Sequence, residues 1–250
     1  MYVDTHCHIH EPEYSLPVEE VLLKAQQAGV NRMVVVGTSL ESSQQAIEFA
    51  EQHEGVVASI GVHPHDTKDG YAIAGLADSS KKIAAVGEIG LDYYYGHSPK
   101  AVQREALRAQ LAVAVKHGLP VIFHVRDAFD DFWPIFDEFS GVRGVLHSFT
   151  DTQKHMQKAL ERGLYIGVNG ISTFTKDTAQ QAMFDAIPLD RLLLETDAPF
   201  LTPNPYRGTI NEPALVPVIA QYHANRRGVA VQEIADATTA NARALFAHLK

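Results

Sequence analysis

Thirteen histidines stand in this 250-residue chain, and their positions matter more than their number. His6 and His8 follow the first β-branched run, His63 and His65 the third, His124 closes the fifth and His147 lies in the sixth. Carboxylates join them at Glu88, Glu195 and Asp197. Imidazole and carboxylate together are the ligand set of divalent cations such as zinc, manganese, nickel or iron. In His6-Cys7-His8 an extended backbone alternates its side chains, so both imidazoles face one way and can share an ion. Cys7 faces the other way and reads as a small buried hydrophobe. Glu88 ends the run Ala84-Ala85-Val86-Gly87, where a carboxylate is costly to bury unless it is paired or coordinates a cation. Taken singly, His124 or His147 would be a satisfied core histidine and Glu88 half of a salt bridge. Several strands offering ligands together shift the weight to a metal centre.

Two ions need a shared ligand, and a carboxylate with two oxygens provides one. Glu88 is assigned that role, with His6 and His8 on the first ion and His124 and His147 on the second. Asp197 then approaches the water as ligand and proton acceptor. Coordination lowers the pKa of water to about 7, so no activated serine or cysteine is needed. No nucleophile elbow, P-loop or dinucleotide fingerprint competes with this reading. His53, His117, His155, His223 and His248 fall on expected helices and read as solvated surface residues.

Residues this far apart in sequence meet if they sit at the C-terminal ends of parallel strands. Short β-branched runs at residues 2–5, 32–36, 56–60, 84–89, 120–124, 144–148, 165–168 and 192–195 read as eight strands. Helices are expected between them at 17–28, 39–52, 71–78, 99–117, 128–139 and 152–162, with two more closing the chain. Ser39 is an N-cap, and Gly29, Gly118 and Gly163 are terminators. Strict alternation without a linker-like break predicts one α/β domain over residues 1–250, a single (β/α)8 TIM barrel. The Pro-rich loop 199–213 is a candidate wall of the active site.

Composition narrows the partners. Net charge is −9, hydrophobic residues make up 46% and charged residues 20%, which excludes disorder and a broad basic surface for nucleic acid. One cysteine allows no internal disulfide, and no leader-like segment precedes the first strand, so a cytoplasmic protein is expected. No apolar run is long enough to span a bilayer.

The motifs VDTHCHI at residue 3, GVHPH at 61, GEIGLDYY at 87, HVRDA at 124, HSF at 147, ETDAP at 195 and TTANARALF at 238 together resemble the TatD-type metal-dependent hydrolases. The resemblance runs nearly end to end. It implies a TIM barrel of the amidohydrolase superfamily, a divalent and often two-metal centre, and ligands at His6, His8, Glu88, His124, His147 and Asp197. It further implies hydrolysis of ester bonds in DNA, with His63, Arg126 and Arg207 as substrate contacts. Within the fold Arg126 could instead pair with Asp127, and His65 would shape a His-Pro-His turn. The sequence departs from the family where Arg207-Gly208 runs through Thr209-Ile210 to Asn211-Glu212-Pro213 without further basic residues, and where Thr150-Asp151 follows HSF. With the net −9, that favours single-stranded or frayed ends over long duplex. Two other readings stay open: hydrolysis of a small amide, ester or lactone at the same centre, and a non-catalytic metal-binding partner protein. The metal (Zn, Mn, Mg, Ni or Fe) is undecided, and a monomer is expected.

Overall fold

The computed structural model describes residues 1–246 and 249. Its strands are β1 (Tyr2–Cys7), β2 (Val30–Val36), β3 (Val56–Ile60), β4 (Ile83–Asp92), β5 (Val121–Arg126), β6 (Gly144–Leu146), β7 (Tyr165–Val168) and β8 (Leu192–Leu194). They take sequence order, β1 to β8, in one sheet. Helices are α1 (Val18–Gln27), α2 (Leu40–Gln52), α3 (Lys100–His117), α4 (Phe129–Asp137), α5 (Gln153–Glu161), α6 (Ile171–Phe174), α7 (Thr178–Ala186), α8 (Val216–Arg227) and α9 (Val231–Leu245). Parallel strands covered by helices are buried on both faces, which is why they read as continuous apolar runs: all ten residues of β4 are buried.

The chain forms two compact units, Met1–Val35 with His147–Lys250, and Val36–Leu146. In the first, β1 pairs parallel with β2 and β7 with β8. The chain just past β8 returns to β1: Cys7 bridges Ala198 in parallel, and the Thr5 hydroxyl donates to the Leu194 carbonyl at 3.0 Å. The last strand thus lies beside the first, the neighbourhood that a barrel requires. In the second unit β3, β4, β5 and β6 pair in turn, all parallel.

Local chemistry sets the element ends. Ser39 caps α2 by accepting the Ser42 N–H at 3.0 Å, as expected. Thr152 caps α5 and Asp177 caps α7 in the same way. Gly118 closes α3 with φ +64°, a left-handed conformation in which a Cβ is unfavourable. Phe129, Phe132, Trp133 and Phe136 of α4 form an aromatic cluster over Phe123 of β5, whose ring centroid is 5.1 Å from that of Phe132.

Three expectations are corrected. The helix expected at 71–78 is a single 3-10 turn, Ile73–Gly75, because Gly75 interrupts a segment with little apolar periodicity. The fourth strand runs three residues past Ile89 to Asp92. His223 is fully buried on α8, whereas His53, His117 and His155 are partly exposed. His248 lies outside the described residues.

Candidate metal centre

Each unit gathers its own ligand cluster. In the first, the Nε2 atoms of His6 and His8 are 3.1 Å apart, and Asp197 Oδ1 stands 3.5 Å from one and 3.4 Å from the other. The edge of a tetrahedron around a zinc ion with bonds of about 2.0–2.1 Å is about 3.3–3.4 Å. Three donors at these separations fit one divalent cation. The alternation of β1 turns His6 and His8 the same way, as the sequence predicted, and buries Cys7 with its thiol toward the Val34 carbonyl. Asp197 sits in a left-handed conformation, φ +59°, just past β8, and its N–H donates to the His6 carbonyl at 2.9 Å. Non-glycine residues held there concentrate at functional sites. Burial pushes the Asp197 carboxyl up. The hydrogen bond from His8 and the positive charge available on His6, His147 and His8 outweigh it and hold the group below its ordinary range.

His147 lies just past β6, with its ring stacked on His6 at 3.9 Å between centroids. Its Nδ1 is 3.5 Å from Glu195 Oε1, which accepts the Ser148 N–H at 2.6 Å. Glu195 is fully buried in a space that exists because residue 167 is glycine: a Cβ there would collide with the carboxylate. Within β1, Asp4 accepts from the backbone N–H of His6 and Thr196 and from the Thr196 hydroxyl, fixing the backbones of the segments that carry His6 and Asp197. Burial raises the Asp4 carboxyl to about 7, against the opposing pull of these hydrogen bonds. Arg207 is exposed, donates to the Thr202 carbonyl at 2.9 Å and lies 3.9 Å over the Phe174 ring.

In the second unit Glu88 Oε1 is 2.9 Å from His124 Nδ1 and 3.5 Å from His63 Nε2. These three form a further group able to hold a cation. The family resemblance implies His63 as a substrate contact; its Nε2 also stands within reach of a cation that Glu88 and His124 could hold. His124 turns its other nitrogen, Nε2, to Asp92 Oδ2 at 2.9 Å. A carboxylate on the far nitrogen is what commonly fixes the orientation of a ligating imidazole. The same oxygen is 3.0 Å from His65 Nε2. Burial raises the Asp92 carboxyl, but hydrogen bonds from His124, Tyr95 and His65, with the His124 charge, bring it well below the ordinary range. Between Glu88 and Asp92, Gly90 pairs with His124 in register, φ +155°, and a Cβ there would strike the His124 carbonyl. Gly90 is what lets β5 approach closely enough for His124 to reach both carboxylates.

Sequence reasoning missed Asp92. The signal was available: Glu88, Gly90 and Asp92 are spaced by two and share a face once the strand extends far enough. Arg126, two residues past His124 on β5, is exposed, and among the described residues no carboxylate pairs with it. Its guanidinium carbon lies instead 4.0 Å from the Tyr94 ring centroid. The pairing with Asp127 considered from sequence does not form.

A closed parallel sheet with histidine and carboxylate clusters past its strand ends is the framework of a metal-dependent hydrolase. A family model described as TatD related DNase matches residues 3–247, and the chain belongs to that family. An uncharacterized metal-dependent hydrolase of Bacillus subtilis, YabD, is 38% identical over 98% of this chain and 99% of its own length. A Citrobacter rodentium protein named 3'-5' ssDNA/RNA exonuclease TatD is 40% identical over 91% of each chain. The solved structure of YJJV, a TatD homologue from Escherichia coli, superposes with a TM-score of 0.91 at 30% identity and 98% coverage of both chains. The fold is the (β/α)8 barrel expected from sequence.

Proposed function

We propose that this hydrolase cleaves phosphodiesters at the ends of single-stranded nucleic acid, using divalent cations, two per chain, held by His6, His8, Glu88, His124, His147 and Asp197. His63 is assigned to the cation at Glu88 and His124, and Arg126 and Arg207 to phosphate. Arg126 is the observation that carries the substrate class. It is an exposed guanidinium on the strand that bears His124, two residues on and therefore on the same side of the strand. Guanidinium is the side chain best matched to phosphate oxygens. The relative named as a single-strand exonuclease supports the same class.

A cation bound here would supply a Lewis acid for the phosphoryl oxygen and make water acidic enough to attack near neutral pH. The chain's own groups do the rest. Asp197, a carboxylate within 3.5 Å of His6 Nε2 and His8 Nε2, accepts the proton that the attacking water loses. The new bond joins that water oxygen to phosphorus as the bond to the leaving sugar oxygen breaks, and the proton taken up by Asp197 passes to that sugar oxygen, which leaves as a hydroxyl. Asp92 holds His124 so that Nδ1 stays on the Glu88 side, and Arg126 balances phosphate charge. The same reading treats residues 1–250 as one working domain, monomeric and cytoplasmic, the last on the strength of the lone buried Cys7. No helix among the described residues is long and apolar enough to cross a membrane.

The test is release of mononucleotides from an end-labelled single strand by protein reconstituted with Mn²⁺, Mg²⁺ or Zn²⁺, beside a panel of small esters, amides and lactones. Nucleotide release is expected. Turnover of a neutral carbonyl compound without nucleotide release would transfer the site to that chemistry. Metal binding with no turnover at all would make the chain a metal-binding partner protein and overturn the proposal.

A further inference from the structure

Two consecutive tyrosines beside the second ligand cluster stand largely in solvent: Tyr94 is 59% exposed and Tyr95 52%. Their neighbour Tyr93 is anchored, its hydroxyl donating to Asp131 at 2.6 Å, while among the described residues neither Tyr94 nor Tyr95 has a hydroxyl partner. Large exposed rings next to a reaction centre are costly to leave uncovered unless something stacks on them. The two rings meet edge to face, 4.8 Å between centroids, and the Tyr95 ring runs nearly parallel to His97 at 5.6 Å. Arg126 lies over both, its guanidinium carbon 4.0 Å from the Tyr94 centroid and 4.9 Å from that of Tyr95. A guanidinium engaged through its face keeps its in-plane N–H donors for another partner.

The patch is built, not incidental. Asp92 Oδ1 accepts the backbone N–H of Tyr94 at 3.0 Å and of Tyr95 at 3.1 Å, while Oδ2 faces His124 and His65. One carboxylate thus fixes the turn carrying the tyrosines and the imidazole that faces Glu88. The Tyr93 N–H donates to the Arg126 carbonyl at 2.9 Å, tying that turn to the end of β5.

We propose that Tyr94 and Tyr95 form a stacking platform for the bases of a single-stranded nucleic acid, with Arg126 taking a phosphate of the nucleotides so held. This rests on the nuclease reading and names how its substrate is gripped. Every base has a π-face, so such a platform accepts any sequence. It also resolves a difficulty of charge. A chain of net −9 cannot hold a polyanion by counterion release from a broad basic surface, so affinity must come from stacking and a few placed cations. Binding of a single strand is therefore expected to weaken only shallowly with salt, with a logarithmic slope of about −0.7 for each phosphate Arg126 or another cation neutralises.

The experiment compares two fluorescently labelled oligonucleotides of one length, an ordinary single strand and its abasic counterpart, both with non-bridging phosphorothioate linkages to suppress cleavage. Binding is read by anisotropy with metal-loaded wild type, the double variant Tyr94→Ala/Tyr95→Ala, and Tyr94→Phe/Tyr95→Phe. The alanine pair is expected to raise Kd for the ordinary strand about tenfold or more and to leave the abasic strand unchanged, while the phenylalanine pair keeps wild-type affinity. Wild type that binds ordinary and abasic strands equally would overturn the platform and leave the nuclease reading standing. An alanine pair that binds both strands like wild type would do the same. Wild type that binds neither strand would overturn both.

Discussion

His223 stays neutral inside α8 at a pH where an exposed histidine would be charged, and that makes folding stability depend on pH in a defined window. The imidazole is fully buried, and its Nε2 lies 3.0 Å from the Ser172 hydroxyl, which donates its own proton to the Asn169 carbonyl at 2.8 Å. Nε2 is therefore the protonated nitrogen, and among the described residues Nδ1 has no partner. Burial, reinforced by the positive charges of Arg227 and Arg226, lowers its pKa from an ordinary 6.5 to about 3. The unfolded chain takes up a proton as pH falls through 6.5, and the folded chain does not until about 3. The contribution is thus intact above 6.5 and is lost progressively as pH falls between these values. At pH 5 the unfolded state gains RT ln(1 + 10^1.5), about 2 kcal/mol, and at pH 7 only about 0.2 kcal/mol. The magnitude at pH 5 barely changes if the native value lies a unit higher. His223→Gln removes the titration whatever its own effect on packing. In metal-free urea unfolding at pH 7 and pH 5, wild type should lose about 2 kcal/mol more than the variant across that interval. Equal pH dependence in the two proteins, or a His223 resonance titrating near 6.5 in the native state, would refute the reasoning.

Other consequences are as direct. Gly90→Ala should disrupt the β4–β5 register at His124, costing about 2 kcal/mol or more in unfolding experiments and lowering bound metal measured by elemental analysis. Asp92→Asn removes the carboxylate that orients His124, and metal affinity by competition with a chromophoric chelator should fall about 10- to 100-fold. Ser39→Ala deletes the cap of α2, with an expected loss of about 1 kcal/mol on denaturation and no change in metal content. Arg126→Ala should reduce kcat/KM on a phosphodiester by about 100-fold while sparing any neutral ester the protein turns over, so equal losses on both would remove Arg126 from phosphate recognition.

Strand runs were legible in the sequence because strands buried on both faces must be apolar throughout, and the ligand histidines because they break those runs where the strands end. Of the third-strand histidines, His63 meets Glu88, which the sequence shows, whereas the partner of His65 is hidden, since Asp92 lies past the expected end of β4 behind a glycine that reads as a breaker and is in truth a point of close approach. The segment 71–78 reads as helix because weak periodicity resembles one turn repeated, while Gly75 holds it to a single 3-10 turn. The short α6 and the helix α7 went unread because neither carries a strong apolar stripe. His223 looked like a surface residue because sequence pattern does not say which polar residue on a helix faces inward. Its burial depends on Ser172, fifty-one positions away. Tyr94 could be quoted as part of a motif, but its exposure and its contact with Arg126 belong to the fold.

In the function proposed above, these ligands hold divalent cations that turn the chain into a phosphodiesterase acting on single-strand ends. The most direct measurement pairs bound-metal content with nucleotide release from a labelled single strand, for wild type and Asp197→Asn side by side. Wild type is expected to carry about two divalent ions per chain and to release mononucleotides only when they are bound, and Asp197→Asn is expected to lose that release. Full metal occupancy with no release from any strand, or release that survives Asp197→Asn and chelation alike, would contradict it.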